Sequence, residues 1–341
     1  MRTLIFGAGA IGAYLGAILT AAGRDVTLVG RGAQYDALAA RGVQLEGAKS
    51  GRPEPIRVRV CRPEEEKPPY DLVFVSVKAH QIEPIAEHLC RLAGNTGLLL
   101  FGQNGIPWWY FARLDSPLRG TRLRSLDPQG VLARSFPLEQ VIGTMVYKPA
   151  DLVEPGRIRL ADSTEDALTI GELDNRKTER LERIAELIRP AGWPVRITTD
   201  IRWSKWDKLL SNAIWNPLGV LTQGTATQLA SFGGTAQLAA AMVAEVISVA
   251  ASVGVRLDAD PNKVVAAAAQ RISLPSSTLQ DVRAGRPLEI DALIGAVIEI
   301  ARLTGVATPC LDVVGACAAF VNQRIVEDGM AITSRSVAGT R

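Results

Sequence analysis

Hydrophobic and polar positions follow two different patterns along the 341-residue chain. In the first 200 residues, short β-branched runs alternate with helical patterns, which is typical of a parallel sheet with crossover helices. The predicted strands run from Thr3 to Phe6, Asp25 to Val29, Leu72 to Val77, Gly97 to Phe101 and Pro194 to Thr198. The predicted helices of this part run from Gly12 to Ala22 and from Glu179 to Arg189.

Three further apolar runs have the spacing of hairpin strands, and we expect them to extend the same sheet. They run from Val141 to Tyr147, Gly156 to Leu160 and Leu168 to Ile170. From Trp203 onward the apolar positions recur with helical spacing. The pattern predicts an α/β protein with an N-terminal Rossmann-type, doubly wound sheet in residues 1–199 and a mostly α-helical domain in residues 200–341. The last dozen residues are polar and are expected to fray.

Composition is that of a folded, soluble protein, with 47% apolar and 21% charged residues. The net charge is only +3 and the Lys and Arg residues are scattered, so we expect no nucleic-acid partner. Two long apolar stretches, Thr3 to Gly23 and Leu238 to Val255, invite a membrane interpretation. Glycines dilute the first, and the second contains Glu245 among small residues, so both favour buried elements and no membrane partner.

The supply of metal-ligating and redox-active side chains is small. Four widely spaced cysteines, at 61, 90, 310 and 317, fit neither a disulfide framework nor a zinc site, which indicates a reducing, cytoplasmic location. The chain has two histidines, His80 and His88, so we predict no metal centre and no catalytic histidine in the second domain.

A glycine-rich loop follows the first predicted strand and opens the first predicted helix. Its residues are Gly7, Ala8, Gly9, Ala10, Ile11 and Gly12. Gly7 allows a tight turn, Gly9 lets a pyrophosphate approach the backbone, and Gly12 permits close helix–strand packing. The helix N-terminus then offers free N–H groups to the phosphates. The loop therefore predicts a dinucleotide-binding site.

The ends of the following strands carry further candidates for that site. The second strand ends at Val29-Gly30-Arg31, where a guanidinium replaces the carboxylate that would hold an NAD ribose, and this favours NADP(H). Lys78 and Asn104 follow two other strands at the same edge of the sheet. A surface lysine and an Asn-Gly turn are the alternatives, but we favour a role in the site.

The most informative part of the second domain is the helix predicted to begin near Trp203. Lys208, Asn212 and Asn216 are spaced i, i+4, i+8, so they form one polar stripe, with Lys205 beside it. A solvent-facing stripe is the alternative, but such a face normally carries Glu and Lys rather than two asparagines. An ammonium can stabilise and protonate the oxygen of a keto acid during hydride transfer, and Lys208 is our candidate.

Two later segments are open to both a structural and a functional interpretation. Ser277 with Gln280 has the spacing of a capping box, and Glu289 is expected in the first turn of another helix. A hydroxyl at a helix N-terminus is also a natural carboxylate site, and a Glu near Lys208 could orient it. Spacing alone does not choose between these interpretations.

Taken together, these motifs resemble ketopantoate reductases (2-dehydropantoate 2-reductases) over nearly the whole chain. The resemblance rests on the glycine loop, Val77-Lys78-Ala79, Gln103-Asn104-Gly105, Lys208-x3-Asn212-x3-Asn216-Pro217, Ser276 to Asp281 and Glu289-Ile290-Asp291. It implies NADPH-dependent reduction of 2-dehydropantoate to pantoate, a step toward pantothenate and coenzyme A.

The resemblance also implies roles for individual residues, in an active site lying in the cleft between the two domains. Lys208 would donate the proton, and Asn212, Asn216 and Ser277 would bind the substrate. Asn104 would lie between cofactor and substrate, Lys78 would contact the cofactor, and Glu289 would lie near the cofactor and the catalytic lysine.

The chain departs from the family pattern at three places. It has Thr225-Ala226 where another Asn is usual, Leu274-Pro275 where a polar residue is usual, and an unusual segment with Trp108 and Trp109. The tryptophans serve core or interface packing, or else line the pocket and favour a different 2-keto acid. A non-catalytic NADP-binding regulator is a further alternative, which Lys208, Asn212, Asn216 and Glu289 together disfavour. The apolar helices can pack within one chain or pair two copies in a homodimer.

Overall fold

The computed structural model describes residues 1–47, 54–161 and 165–333. The chain divides into two compact units. The first comprises Met1–Asn104, Trp108–Arg122 and Asp127–Ser204, and the second comprises Gly105–Pro107, Leu123–Leu126 and Lys205–Arg341. Most of the last dozen residues, predicted to fray, lie outside the described ranges.

The strands of the described chain all belong to the first unit. They are β1 Thr3–Phe6, β2 Val26–Val29, β3 Gln44–Glu46, β4 Val60–Cys61, β5 Leu72–Val75, β6 Leu98–Phe101, β7 Val141–Tyr147, β8 Ala150–Glu154, β9 Arg157–Leu160, β10 Ala167–Gly171 and β11 Val195–Ile197. The helices of this unit are α1 Ala10–Ala21, α2 Gly32–Arg41, α3 Ala86–Ala93, α4 Val131–Ser135 and α5 Glu179–Ile188, with short 3-10 turns at Ala79–Gln81, Glu83–Ile85 and Arg189–Ala191.

Eight of these strands form one sheet in the order β11-β10-β7-β6-β5-β1-β2-β4. The six strands from β7 to β4 are parallel, β10 is antiparallel to β7, and β11 is parallel to β10. The order reverses between β1 and β5, which makes their carboxyl ends the switch point where α/β sheets bind ligands. The predicted α/β class and the doubly wound sheet are confirmed.

Side-chain alternation along the strands divides the core of this unit into two layers. Ile5, Phe74 and Leu100 face one layer, which contains α1 and α5, whereas Leu4, Val73 and Leu99 face the other, which contains α3. Apolar side chains on both faces are what a parallel sheet covered by helices requires. The near-continuous apolar runs of β1, β5 and β6 follow from this double burial.

One of the three later strands is not in the main sheet, contrary to the prediction. The strands at Val141–Tyr147 and Ala167–Gly171 pair with each other and extend it, as expected. Arg157–Leu160 instead returns antiparallel to β8 and pairs in parallel with β3, forming a separate three-stranded sheet. The physical reason is that β10 already occupies the free edge of β7, so the β8–β9 hairpin has no edge of the main sheet to join.

The second unit is helical throughout its described residues. Its helices are α6 Ile201–Thr222, whose first four residues belong to the first unit, α7 Ala226–Ser231, α8 Gly233–Ser252, α9 Pro261–Ala269, α10 Ser277–Arg283, α11 Ala296–Thr304 and α12 Pro309–Asp328, with a π-helical turn, Asp291–Gly295, leading into α11. Helix α8 packs against α7, α9, α11 and α12. The predicted helical C-terminal part is confirmed.

Helix α8 is the described helix that could cross a membrane by length and composition, with a mean hydropathy of 1.5. Its position in the second unit gives it another role. Glu245 accepts hydrogen bonds from the backbone N–H groups of Cys310 (2.9 Å) and Leu311 (2.8 Å), so its carboxylate caps the N-terminus of α12. The stretch predicted to be a buried helix is therefore a packing element of this unit.

Candidate active site

The glycine loop lies at the carboxyl end of β1, and two of its glycines are required by their surroundings. Gly7 has a φ of +109°, and a Cβ there would approach the backbone N of Val77 to 2.9 Å. A Cβ at Gly12 would collide with the carbonyl oxygen of Gly7 and with Oγ of Ser76. The predicted tight turn and the close packing of helix on strand are both present.

The third glycine has open space where the other two are crowded. No atom lies within 4 Å of the position that a Cβ would occupy at Gly9. Gly9 is also the N-cap of α1, and the first turn of that helix carries no acidic side chain. The N–H groups at the N-terminus of α1 can therefore bind an anion. A phosphate can also approach the backbone at Gly9 closely.

Serine 76, which the sequence analysis did not single out, holds the neighbouring strand end against the loop. Its hydroxyl donates to the carbonyl oxygen of Gly7 at 2.6 Å, and its backbone N–H donates to that of Phe6 at 2.9 Å. Strand β5 ends at Val75, opposite the last residue of β1, rather than at Val77 as predicted. The sequence pattern that could have identified Ser76 is a hydroxyl residue at the carboxyl end of a buried strand.

Lys78 and Asn104 both lie just past the carboxyl ends of adjacent strands of the first unit. Lys78 is half-buried and precedes a 3-10 turn, where its backbone N–H donates to Oε1 of Gln81 at 3.1 Å. Asn104 is half-buried and follows Gln103, whose carboxamide donates to the carbonyl oxygens of Val75 (3.0 Å) and Val77 (2.6 Å). Gln103 therefore ties together the ends of β5 and β6.

The polar stripe predicted on the second unit lies on α6 as expected. Lys208 and Asn212 are half-buried, whereas Asn216 is only 5% exposed. The apolar face formed by Trp206, Leu209, Leu210, Ala213 and Ile214 is buried. Within the described part of the chain, neither Asn212 nor Asn216 makes a side-chain hydrogen bond. Both carboxamides therefore keep hydrogen-bonding capacity for a ligand.

Lys205 is the titratable group of this region whose importance the sequence analysis underestimated. It lies one turn before Lys208 on α6 and is 2% exposed. Burial and, to a smaller extent, the positive charge of Lys208 lower its pKa, Glu289 opposes them, and the net result is a pKa of about 7. The second unit therefore brings Lys205, Lys208 and Glu289 within electrostatic range of one another.

Glu289 lies at the start of the helical segment that leads into α11. It directly precedes the first helical residue rather than occupying the first turn, and its carbonyl oxygen accepts from the N–H of Leu293 at 3.1 Å. Gly105 lies against the next turn of this segment, so closely that a Cβ at this position would collide with the carbonyl oxygen of Ala292. The N–H of Ile106 donates to that same oxygen at 2.8 Å.

The capping prediction for α10 is wrong by one residue. Ser276, not Ser277, is the N-cap, and its hydroxyl accepts from the N–H of Leu279 at 3.1 Å. Ser277 is therefore the first helical residue, and its exposed side chain is not used as the cap. The capping requirement of the helix is met without it.

At one departure from the family pattern, Thr225-Ala226, the threonine side chain makes hydrogen-bonding contacts. Thr225 caps α7 by accepting from the N–H of Gln228, and its hydroxyl lies 2.6 Å from that of Ser273. This contact ties the start of α7 to the segment that leads to α10. At the other departure, Leu274 is exposed and Pro275 is half-buried.

The unusual tryptophan segment is part of the first unit's core. Trp109 is fully buried, and Trp108 packs against Phe101 and Phe136, with ring centroids 5.9 and 5.6 Å apart. Arg202, at the start of α6, is also fully buried, and its guanidinium donates to the carbonyl oxygens of Tyr110 (2.8 Å), Ala112 (2.6 Å) and Leu173 (2.8 Å). Trp109 thus lies in the core of this unit, and the half-buried Trp108 packs against its aromatic neighbours.

Among residues 1–47, 54–161 and 165–333, no group of three or more His, Cys, Asp or Glu side chains is arranged to hold a metal ion. The four cysteines are free thiols. Burial, followed by three nearby glutamates, raises the pKa of Cys61 to about 11, so this thiol is protonated at neutral pH.

Both parts of the chain match one known protein family. The model of the family described as ketopantoate reductase PanE/ApbA matches residues 3–175, and the model of its C-terminal domain matches residues 200–322. The 2-dehydropantoate 2-reductase of Mesorhizobium japonicum is 37% identical over 332 residues, which cover 96% of this chain and 99% of that protein.

Solved structures share the fold. One from Ralstonia solanacearum, assigned as a ketopantoate reductase, superimposes with a TM-score of 0.86 at 33% identity and covers 96% of this chain and 99% of that one. A ternary structure of D-mandelate dehydrogenase with NADH and anilino(oxo)acetate shares the fold at 22% identity, with a TM-score of 0.79 and the same coverage. From the two family models and the close relatives, the chain belongs to the ketopantoate reductase PanE/ApbA family and is an oxidoreductase.

Proposed function

We propose that this protein reduces 2-dehydropantoate to pantoate with NADPH in the cytoplasm, as a step toward pantothenate and coenzyme A. NADPH, when bound, supplies the hydride that adds to the keto carbon. The chain's own residues bind both molecules and supply the proton that the resulting alkoxide oxygen needs. The observation that carries the proposal is the shared helix face of Lys208, Asn212 and Asn216, on which Asn216 is only 5% exposed.

The glycine loop fits the pyrophosphate of a dinucleotide. The open space over Gly9 and the uncapped N–H groups at the start of α1 are the features that a phosphate needs, and Ser76 holds the turn in shape. Arg31, the exposed N-cap residue of α2, supports NADP(H) over NAD(H), because a guanidinium can pair with a 2′-phosphate. Lys78 and Asn104 are proposed as further cofactor contacts.

Asn212 and Asn216 are proposed to bind the polar groups of the substrate. A carboxamide donates to a carboxylate or hydroxyl oxygen without adding a charge that would compete with the hydride donor. Asn216 fits this role because the residue is only 5% exposed and its carboxamide makes no hydrogen bond within the described part of the chain. Ser277, whose hydroxyl is not used as a cap, is proposed as a third substrate contact.

Lys208 is proposed as the proton donor. Hydride addition places a negative charge on the former keto oxygen, and a neighbouring ammonium stabilises that charge and then transfers its proton. Glu289 and Lys208 both lie within electrostatic range of Lys205, and we propose that the carboxylate of Glu289 stabilises the positive charge of Lys208 and orients its ammonium. Neither a metal nor a catalytic histidine is needed in this scheme.

The proposal is tested by mixing the purified protein with NADPH and a panel of 2-keto acids while following the nicotinamide absorbance. We expect oxidation with 2-dehydropantoate at a kcat/KM well above that for pyruvate, 2-ketoisovalerate and phenylglyoxylate. Oxidation that is fastest with another member of the panel would assign a different substrate to the same scaffold. Tight NADPH binding without oxidation of NADPH by any keto acid would support a regulator.

A different 2-keto acid is the second candidate, and two observations favour testing it. Thr225-Ala226 stands where the family pattern usually has an asparagine, and the hydroxyl of Thr225 contacts Ser273. The fold is also that of a D-mandelate dehydrogenase, which was solved with anilino(oxo)acetate. Phenylglyoxylate, the keto acid of mandelate, is therefore an informative member of the panel.

Replacing Asn216 by alanine is expected to raise KM for the keto acid roughly 10- to 100-fold, because a buried hydrogen bond to a charged group is lost. Asn216→Asp should impair binding more, since it places a carboxylate against the substrate's own. The dissociation constant for NADPH should change less than threefold in both variants.

The matched control for this prediction is Asn262→Ala, which removes an exposed asparagine on α9 of the same unit. It should leave KM unaltered. If Asn216→Ala kept the wild-type KM, Asn216 would have no role in substrate binding.

A further inference from the structure

The carboxyl end of β2 is a point at which three segments of the first unit converge. A Cβ built on Gly30 would lie 3.4 Å from Cα of Tyr35 in α2, 3.5 Å from Cβ of Ala8 in the glycine loop and 3.5 Å from Val60 in β4. The side chain of Gln34 strengthens the junction by donating to the carbonyl oxygen of Ala8 at 2.7 Å. The first turn of α2 and the end of β4 therefore lie directly beside the dinucleotide loop.

Arg62 is the first residue after β4, and its side chain is held over this junction. Strand β4 pairs in parallel with β2, with Cys61 opposite Val29, and the N–H of Gly30 donates to the carbonyl oxygen of Cys61 at 3.0 Å. Arg62 and Arg31 thus leave the ends of adjacent strands at the same edge of the sheet. The guanidinium of Arg62 lies 4.2 Å from the ring centroid of Tyr35, a cation–π stack that fixes its plane.

We propose that Arg62, stacked on Tyr35, is a second guanidinium for the 2′-phosphate of NADP(H), and that with Arg31 it determines the preference for NADP(H) over NAD(H). The inference rests on the function proposed above, which names the cofactor but assigns its 2′-phosphate to Arg31 alone. Arginine suits this role because its planar fork can stack on a ring with its face and pair with phosphate oxygens through its edge. A side chain fixed in advance also loses less entropy on binding.

Glu65 is the acidic group that contacts this arginine. Its carboxylate accepts from the backbone N–H of Arg62 at 2.9 Å and lies 3.5 Å from the guanidinium. The two side chains are 47% and 44% exposed, so the ion pair is weak and a phosphate dianion can compete with it. The carboxylate of Glu65 could instead favour NAD(H) over NADP(H), because it could accept a hydrogen bond from the 2′-hydroxyl of NAD(H).

The test uses two fragments that differ only in the 2′-phosphate, 2′,5′-ADP and 5′-AMP, with dissociation constants measured by calorimetry on the full-length protein. The wild type is expected to bind 2′,5′-ADP more tightly. Arg62→Ala should weaken 2′,5′-ADP binding roughly 10- to 50-fold, as expected for loss of a charge-assisted hydrogen bond, and alter 5′-AMP binding less than threefold. Glu65→Gln, which removes the competing charge, should tighten 2′,5′-ADP binding.

Arg59→Ala is the matched control. Arg59 lies three residues earlier, is more exposed, and pairs with Asp25 before the start of β2 rather than with residues at its end. It should leave both constants unaltered. Arg62→Lys keeps the charge without the planar fork and should recover only part of the lost affinity.

Three results would overturn the inference. They are an Arg62→Ala variant that binds 2′,5′-ADP as the wild type does, a variant that loses affinity for both fragments equally, and a wild type that prefers 5′-AMP. Because no keto acid is present, these results are independent of turnover. If the reductase assay failed while the Arg62 effect held, the substrate assignment would be wrong and the cofactor inference would stand.

Discussion

Replacing Lys208 by alanine is expected to lower kcat by about 10²- to 10⁴-fold with 2-dehydropantoate, while the dissociation constant for NADPH changes less than threefold. The reason is that the ammonium acts on the charge that develops on the substrate oxygen during hydride transfer. Ground-state binding of NADPH does not involve that charge. Stopped-flow measurement of NADPH oxidation, with NADPH fluorescence as the binding readout, separates the two effects.

Two further variants separate proton donation by Lys208 from the effect of its positive charge and from a nonspecific effect of removing a lysine. Lys208→Arg keeps a positive charge, but a guanidinium does not give up its proton, so kcat should stay at least 10²-fold below the wild type. Lys263→Ala removes an exposed lysine of α9 in the same unit and should have the wild-type kcat. Near-normal turnover of Lys208→Ala would exclude Lys208 as the donor.

Lys205→Met is expected to alter how stability depends on pH. The pKa of Lys205 is lowered to about 7 in the folded protein, primarily by burial, from its ordinary value of 10.5. Between those values the unfolded chain binds more protons than the folded one, so this lysine makes stability rise with pH across that window. Below about pH 7 both states are protonated, and the full cost of burying the charge is present.

The size of this effect follows from the shift. Relative to Lys205→Met, the free energy of unfolding of the wild type should increase by about 1.4 kcal/mol for each pH unit between 7 and 10, approaching roughly 5 kcal/mol in total. Urea unfolding of both proteins at matched ionic strength measures this difference, and groups that titrate alike in both proteins cancel. Lys263→Met, in which the ammonium is exposed, should show a difference from the wild type that does not vary with pH. A pH-independent difference for Lys205→Met as well would mean that Lys205 keeps its charge throughout.

The features predicted well from sequence are those that local chemistry determines. The sequence predicts strands Thr3–Phe6 and Val141–Tyr147 at the observed residues because short runs rich in β-branched and apolar side chains are typical of buried strands. The glycine loop was identified because Gly7 needs a positive φ and Gly12 leaves no room for a Cβ, which constrains the residue type itself. The stripe on α6 followed from helical spacing alone.

The features that sequence did not predict depend on partners distant along the chain. The hairpin strand at Arg157–Leu160 has the pattern of a main-sheet strand, and only the occupied edge of β7 excludes it. Ser276 and Ser277 are adjacent hydroxyls, and which of them caps α10 depends on the backbone at the first turn. The burial of Lys205 and the stack of Arg62 on Tyr35 arise from packing between elements, for which local periodicity carries no signal.

The most direct test of the account follows the hydride itself. The protein is incubated with 2-dehydropantoate and NADPH carrying deuterium in the transferable position at C4 of the nicotinamide, and the product is analysed by mass spectrometry and NMR. We predict pantoate with one deuterium on C2, formed by the wild type and almost absent with Lys208→Ala over the same time. A wild-type protein that binds NADPH but forms no deuterated hydroxy acid from 2-dehydropantoate or any other 2-keto acid would contradict the account.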